Sequence, residues 1–298
     1  MRVYVPVARS APAWALTPGA PFVADTACDA DGSRRWCAAR GDTAAAGVWD
    51  AHALWDAPVH LRGHAADITS VRLFPSAQGA SVLTVVLSTS IDMTARVFSA
   101  LDGANPRTLT GHQRAVLCSA IIARGREVLT GSADSTVRLW DVGEGRTTAV
   151  LQEDAPVNAL ATDGAAAYVG TDGVLNMWDL RAGAKTALAP AADVVSRDGS
   201  YALACARDGT FTLTDVRAGP VFAWRRAAAP ATVANYAGHS ALVAGATGLP
   251  CRMDLSGAAP AVAAEFSGFD YDRVDSMIAN GERVVVCGAT GSAVYHVA

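Results

Sequence analysis

The stretch GSADSTVRLWDV, residues 131–142, decides the fold. Asp134 anchors a turn, and the run TVRLWDV after it is short, β-branched and partly alternating, as a half-buried strand should be. Asp134 precedes Trp140 by six positions and Asp141 by seven. The same offset recurs along the chain. Asp92 stands six before Phe98, Asp172 six before Trp178, and Asp208 six before Thr214, with Asp215 following. Weaker copies occur at Trp49-Asp50, Met253-Asp254 and Tyr295-His296. The seven markers, at 49, 98, 140, 178, 214, 253 and 295, are separated by 49, 42, 38, 36, 39 and 42 residues. A period near 40 fits a unit of four short strands repeated around a ring.

A second ruler keeps step with the first. Arg124-Gly125, Asp163-Gly164, Asp198-Gly199 and Asn280-Gly281 each lie 15 or 16 residues before a marker, and Gly238-His239 falls at the same offset before Met253. Such dipeptides tolerate positive φ and suit hairpin turns. True Gly-His pairs open two units, at Gly63-His64 and Gly111-His112. In the third unit they predict a hydrogen-bonded set of His112, Ser132 or Thr130, Asp134 and Trp140. Each bond is worth about 1 kcal/mol net. The fold expected is all-β: one seven-bladed β-propeller of WD40 type over residues 1–298, closed by an N-terminal strand. Residues 1–17 form the closing region and 18–298 the blades. Two segments could supply that strand, RVYVPV (2–7) and AWALT (13–17), with the second favoured, and one of them is expected to pair with residues 292–297.

Composition narrows the function. Hydrophobic residues make up 51% of the 298 and charged residues 17%, so the chain can bury a large core. A net charge of −4 argues against nucleic acid as partner, which calls for a basic stripe. The six cysteines form no C-x-x-C pair, so neither a zinc site nor a redox framework is expected. The N-terminus lacks a signal-peptide core and no stretch approaches a membrane span. A soluble monomer of the cytoplasm and nucleus is the expectation, without cofactor, metal or membrane association.

Catalytic motifs are missing. There is no H-E-x-x-H and no Gly-rich phosphate loop ending in Lys-Ser/Thr. The run Gly238-His239-Ser240-Ala241-Leu242 lacks the final glycine of a nucleophile elbow. An enzyme built on this fold would need titratable groups on its innermost strands, and VNALAT (157–162) offers mainly small and apolar ones. The candidate structural residues are therefore His64, Asp92, His112, Asp134, Trp140, Asp172, Trp178 and Asp208. Trp140 and Trp178 are expected in the core, while Trp14, Trp36, Trp55 and Trp224 match no marker position. The blade-opening loops carry Asp67, Glu153, Asp154, Asp193, Asp270 and Asp272, with Phe269 and Tyr271 among the last two. Asp67, Glu153, Asp154, Asp193, Asp270, Tyr271 and Asp272 are thus the candidate partner-binding set, an acidic face that would steer a basic protein surface.

Two stretches say more than the repeat. DGANPRTLTGH (102–112), followed by AIIARGREVLTGSADSTVRLWDVGEG (120–145), resembles the proteasomal ATPase-associated factor family, and LRGHAADITSVRLFPS (61–76) is similar to the family's preceding blade. The resemblance covers roughly residues 61–145, and beyond it only the blade period matches. It implies an assembly chaperone of the proteasome regulatory particle. Such a chaperone binds the C-terminal domain of an ATPase subunit and delays docking onto the core particle. The chain departs from the family in its short N-terminus, which leaves little room for a domain before the propeller, and in its degenerate last three markers. A generic scaffold, or a substrate receptor of a ubiquitin ligase, is the alternative.

Overall fold

The computed structural model describes residues 2–4, 8–9, 22–28, 34–40, 45–50, 59–74, 85–122, 125–190, 194–198, 200–206, 209–225, 231–237, 240–245, 250–257, 260–267, 274–280, 283–288 and 291–296, with side chains for a part of these, all from Leu61 onward. Among these the regular structure is β-strand. The chain divides into two compact units, Ala20–Ala165 and Met1–Gly19 with Ala166–Ala298.

In the first unit, β3 (Phe22–Cys28), β4 (Arg34–Arg40), β5 (Ala45–Asp50) and β6 (Val59–Arg62) form one sheet. A second holds β7 (Ile68–Leu73), β8 (Val85–Ser90), β9 (Thr94–Ser99) and β10 (Arg107–Thr110). A third holds β11 (Val116–Ile121), β12 (Glu127–Ser132), β13 (Thr136–Asp141) and β14 (Arg146–Gln152), and β15 (Val157–Thr162) ends the unit. Every sheet is an antiparallel meander whose sequence neighbours are its spatial neighbours. Alternation along each strand sends apolar side chains to both faces, and the sheets bury them against each other. Leu61 of the first sheet packs with Ile68, Val71, Val86 and Phe98 of the second. Leu87, Val97 and Leu109 pack with Val128 and Trp140 of the third. A polar seam joins β7 and β11: the Ser70 and Ser119 hydroxyls lie 3.0 Å apart, and the Thr69 hydroxyl donates to the Val116 carbonyl at 2.5 Å.

The second unit repeats the plan. It contains β16 (Ala166–Thr171), β17 (Val174–Asp179) and β18 (Lys185–Pro190), then β19 (Val194–Asp198), β20 (Tyr201–Cys205), β21 (Thr210–Asp215) and β22 (Gly219–Arg225). Two more sheets are built on β23 (Ala231–Ala237), β24 (Ser240–Gly245), β25 (Cys251–Asp254) and β26 (Ala261–Phe266), and on β27 (Val274–Asn280), β28 (Arg283–Gly288) and β29 (Gly291–His296). Leu203, Phe211 and Leu213 meet Val243, Cys251 and Met253 in one core, and Leu242 and Phe266 meet Val274, Met277, Val286 and Tyr295 in the next.

All seven sequence markers fall on equivalent strands: Trp49 on β5, Phe98 on β9, Trp140 on β13, Trp178 on β17, Thr214 on β21, Met253 on β25 and Tyr295 on β29. A feature the sequence hides accompanies three of them. Pairing with the next strand slips just before Trp140, Thr214 and Met253, a bulge that adds local twist at the marker. The turn dipeptides fall where expected. Gly125 and Gly164 adopt φ of +70° and +91°, and two-residue connections separate the pairs Ala237–Ser240 and Asn280–Arg283. At Gly125 a side chain would overlap the Phe74 ring, so this turn requires glycine twice over.

The strand beside residues 292–297 comes from a different N-terminal segment than expected. β2 (Ala8–Arg9) lies antiparallel to β29, Ala8 opposite Val294 and Arg9 opposite Ala293. It falls between the two segments offered by the sequence. Of those, residues 13–17 lie outside the described residues, and β1 (Arg2–Tyr4) runs parallel to β26 with Arg2 opposite Ala264. Thus β2 becomes the outer strand beside β29, and β1 adds a fifth strand to the sheet of β23–β26. Deleting residues 1–9 exposes both edges, and is expected to lower the melting temperature by roughly 5 °C or more. Differential scanning fluorimetry reads it, and an unchanged melting temperature contradicts a structural role for the two strands.

Candidate protein-binding site

In the second and third sheets the opening loop and the turn between the second and third strands lie at the same end, bonded to each other. In the third sheet His112 donates from Nδ1 to Asp134 at 2.9 Å, and its Nε2 lies 2.8 Å from the Thr130 hydroxyl. The Trp140 indole N–H donates to that same hydroxyl at 2.8 Å. Because the ionised carboxylate can only accept, the direction of the chain is fixed: Nδ1 carries the proton, and Nε2 of the neutral ring accepts from Thr130, whose oxygen also accepts the indole N–H. The second sheet repeats this with His64, Asp92 and Ser88 at 2.8 Å each, ending there because Phe98 carries no donor. Sequence left Ser132 or Thr130 open for the third sheet. Thr130 takes the place, while Ser132 donates to the Ala115 carbonyl and accepts from the Asp134 N–H.

Each aspartate also ties the opening loop to its turn. Asp134 accepts from the Gln113 N–H, the Thr136 N–H and the Thr136 hydroxyl, and Asp92 accepts the matching three from Ala65 and Thr94. The glycine before each histidine has a backbone reason. Gly63 and Gly111 adopt φ of +156° and +154°, a conformation that residues with a side chain rarely take.

Burial and bonding set opposite electrostatic demands. Desolvation pushes both aspartates up. Hydrogen bonds from the threonine, the loop N–H and the histidine outweigh it and hold Asp92 and Asp134 at about 2. Desolvation pushes His64 and His112 below the ordinary imidazole value, more than their aspartates raise them. Both pairs are therefore neutral histidine with ionised aspartate near neutrality. As pH falls through about 6.5, the unfolded histidines take up protons that the folded ones refuse. Below about 4 the unfolded aspartates do the same. Both effects have one sign, so stability is expected to fall continuously on acidification. A melting temperature that holds or rises between pH 7.5 and pH 5 contradicts this electrostatic picture.

Of the partner-binding candidates, Asp67 and Asp154 are exposed at this end of the first unit. Asp193, Asp270, Tyr271 and Asp272, with Phe269, lie outside the described residues. Glu153 is a correction: it is only 3% exposed. Register explains why. Gln152 pairs with Thr136 as Thr110 pairs with Thr94, so Glu153 stands where Gly111 stands in the preceding repeat, and Asp154 stands where His112 does. The exposed Arg114 shares this end, so the charge among the described residues is mixed.

Two structural candidates also differ from expectation. Trp178 is half-buried, with the Lys185 ammonium 5.7 Å from its ring centre. Gly170 pairs with Leu175 where Gly131 pairs with Val137, so the turn holding Asp172 is one residue shorter and leaves Asp172 exposed. The Thr130 position is Val169, which offers no hydroxyl to an indole. At the next marker Thr214 is fully buried and its hydroxyl has no partner. Asp208, Trp14 and Trp55, and the side chain of Trp36, lie outside what is described. Trp224 stacks on Phe211 at 5.1 Å and so contributes to packing.

The residues that carried the family resemblance work inside the fold. Asn105, with its amide oxygen toward Arg96, donates to the Val97 and Arg107 carbonyls at 3.0 and 2.6 Å and shapes the turn into β10. Arg107 reaches the Gly143 carbonyl of the third sheet at 3.0 Å. Sequence reading missed Ile91 and Met93, which flank Asp92 and are 47% and 46% exposed. The signal was available: the corresponding positions of the next repeat are Ala133 and Ser135. Among the described residues no three His, Cys, Asp or Glu gather into a metal site, and no helix is long and apolar enough to cross a membrane.

Comparison with known proteins adds partial similarities to this geometry. Residues 103–141 match the family model described as WD domain, G-beta repeat. The chain is 39% identical over 115 residues to the 26S proteasome regulatory subunit RPN14 of Saccharomyces cerevisiae, covering 37% of this chain and 25% of that protein. It is 30% identical over 132 residues to the eukaryotic translation initiation factor 3 subunit I of Danio rerio (42% of this chain, 39% of that one), and 32% over 106 residues to the human subunit (36% and 31%). The matched segments thus span between a quarter and two fifths of these curated relatives. Residues 103–141 thus match one WD repeat, and part of the chain is similar to a proteasome regulatory subunit.

Proposed function

We propose that the chain is a non-catalytic, seven-bladed WD40 propeller, closed by its N-terminal strand, that chaperones assembly of the proteasome regulatory particle. It binds the C-terminal domain of one ATPase subunit as a monomer, in cytoplasm and nucleus, and delays that subunit's docking onto the core particle. The observation that carries this reading is the 39% identity over 115 residues to a proteasome regulatory subunit. The block of residues 102–145 adds to it, since a generic repeat does not require Asn105, Arg107 or the Arg-Gly-Arg run. The pairing of β2 with β29 supports closure. A second reading has its own observation: several similar proteins are subunits of translation initiation factor 3, which would make the chain a scaffold in another assembly.

Affinity purification of the full chain from cells of its source separates the cases. Recovery of proteasomal ATPase subunits without the core particle is expected. Recovery of initiation factor 3 subunits, or of cullin adaptors as for a ubiquitin-ligase receptor, with no ATPase, overturns the proposal.

A further inference from the structure

The turn between β8 and β9 differs from its neighbour in ways that folding does not require. Its counterpart between β12 and β13 reads Ala133-Asp134-Ser135 and makes the same bonds: aspartate to histidine, aspartate to threonine, serine hydroxyl to the aspartate N–H. Both turns place one non-glycine residue in the left-handed region, Ser135 at φ +62° and Met93 at φ +66°. That conformation costs a side-chain-bearing residue free energy, and a long apolar one left nearly half in water recovers little of it. Yet Asp92 is flanked by Met93 and Ile91, each nearly half exposed. A third departure adjoins them. The Ile91 N–H donates to the carbonyl of Asp67 at 3.0 Å, as Ala133 does to Ala115, so an exposed carboxylate stands where the next repeat has a methyl group.

We propose that Ile91, Met93 and Asp67 form a contact for a protein partner that presents an aliphatic side chain beside a lysine or arginine. Resting on the reading above, the partner surface belongs to the C-terminal domain of the ATPase subunit. The two apolar side chains supply area that water leaves uncovered. The carboxylate supplies the charge complement and fixes orientation. The turn is held by His64, Ser90 and Thr94, so little ordering entropy is lost on binding.

The test is a titration of the full chain with the purified ATPase C-terminal domain. The variant Asp67→Ala, Ile91→Ala, Met93→Ser installs the residues of the next repeat, a turn that this fold already accommodates. Its melting temperature is expected to match the wild type, while its affinity falls roughly tenfold or more. Asp67→Ala alone is expected to flatten the salt dependence of binding. Leu101→Ser, 60% exposed in the turn between β9 and β10, is expected to bind as wild type. Equal affinity of the triple variant overturns this inference and leaves the ATPase reading standing, as does an equal loss on Leu101→Ser. Wild-type protein that binds no ATPase C-terminal domain overturns both.

Discussion

Trp140→Ala is expected to destabilise the protein by roughly 3–5 kcal/mol, the range for emptying a buried aromatic site. Trp140 is 1% exposed and packs with Phe74, Leu87, Val97, Leu109 and Val128, a core made by two sheets. Its removal leaves a cavity between sheets that strand pairing prevents from collapsing. It also deletes the indole N–H that Thr130 accepts, one bond of the chain that runs on through His112 to Asp134. Trp178→Ala, at the same marker of the next repeat, is expected to cost less than half as much, because that ring is half-buried and Val169 stands in the place of Thr130. Denaturant unfolding monitored by circular dichroism measures both. Equal losses would show that the two markers are structurally equivalent after all.

Asp134→Ala is expected to cost roughly 2–4 kcal/mol, although aspartate looks like a surface residue in sequence. The carboxylate accepts from His112, from the Gln113 N–H and twice from Thr136, and bonds to a charged acceptor are worth more than neutral ones. Removing it strands a buried imidazole and frees the opening loop from its turn. Asp172→Ala is expected to change stability by less than about 0.5 kcal/mol, since Asp172 is exposed in a shorter turn. Similar losses at the two positions would contradict the assignment of Asp134 as the link between loop and turn.

The contrast between these pairs marks how far the sequence reaches. The marker spacing was legible because it is set by covalent geometry, since a turn residue and the strand after it keep their offset whatever surrounds them. Hence all seven markers fall on equivalent strands. The offset cannot report turn length, however. Asp172 stands six before Trp178 just as Asp134 stands six before Trp140, yet the turn between the paired strands has lost a residue. Glu153 beside Asp154 reads as a polar loop, and only register reveals that it replaces the glycine of a Gly-His pair. Ile91 and Met93 carry no marker of their own in the sequence, and their exposure follows from the turn that Asp92 imposes. The strands β1 and β2 are too short to carry a periodic pattern, so their places on β26 and β29 came only with the pairing.

Partner choice rests on less sequence than the fold does. The repeat recurs along the chain, whereas the proteasome similarity is confined to 37% of it. The face described in the first unit offers exposed Asp67, Asp154, Ile91 and Met93 on turns held by buried histidine–aspartate pairs. That combination suits rigid presentation of a contact surface.

Calorimetric titration of the purified chain with each proteasomal ATPase C-terminal domain in turn tests this account most directly. One domain is expected to bind with one-to-one stoichiometry, and the others at least about tenfold more weakly, the separation that some 1.4 kcal/mol of discrimination gives. Heat signals indistinguishable from dilution for every domain would contradict it.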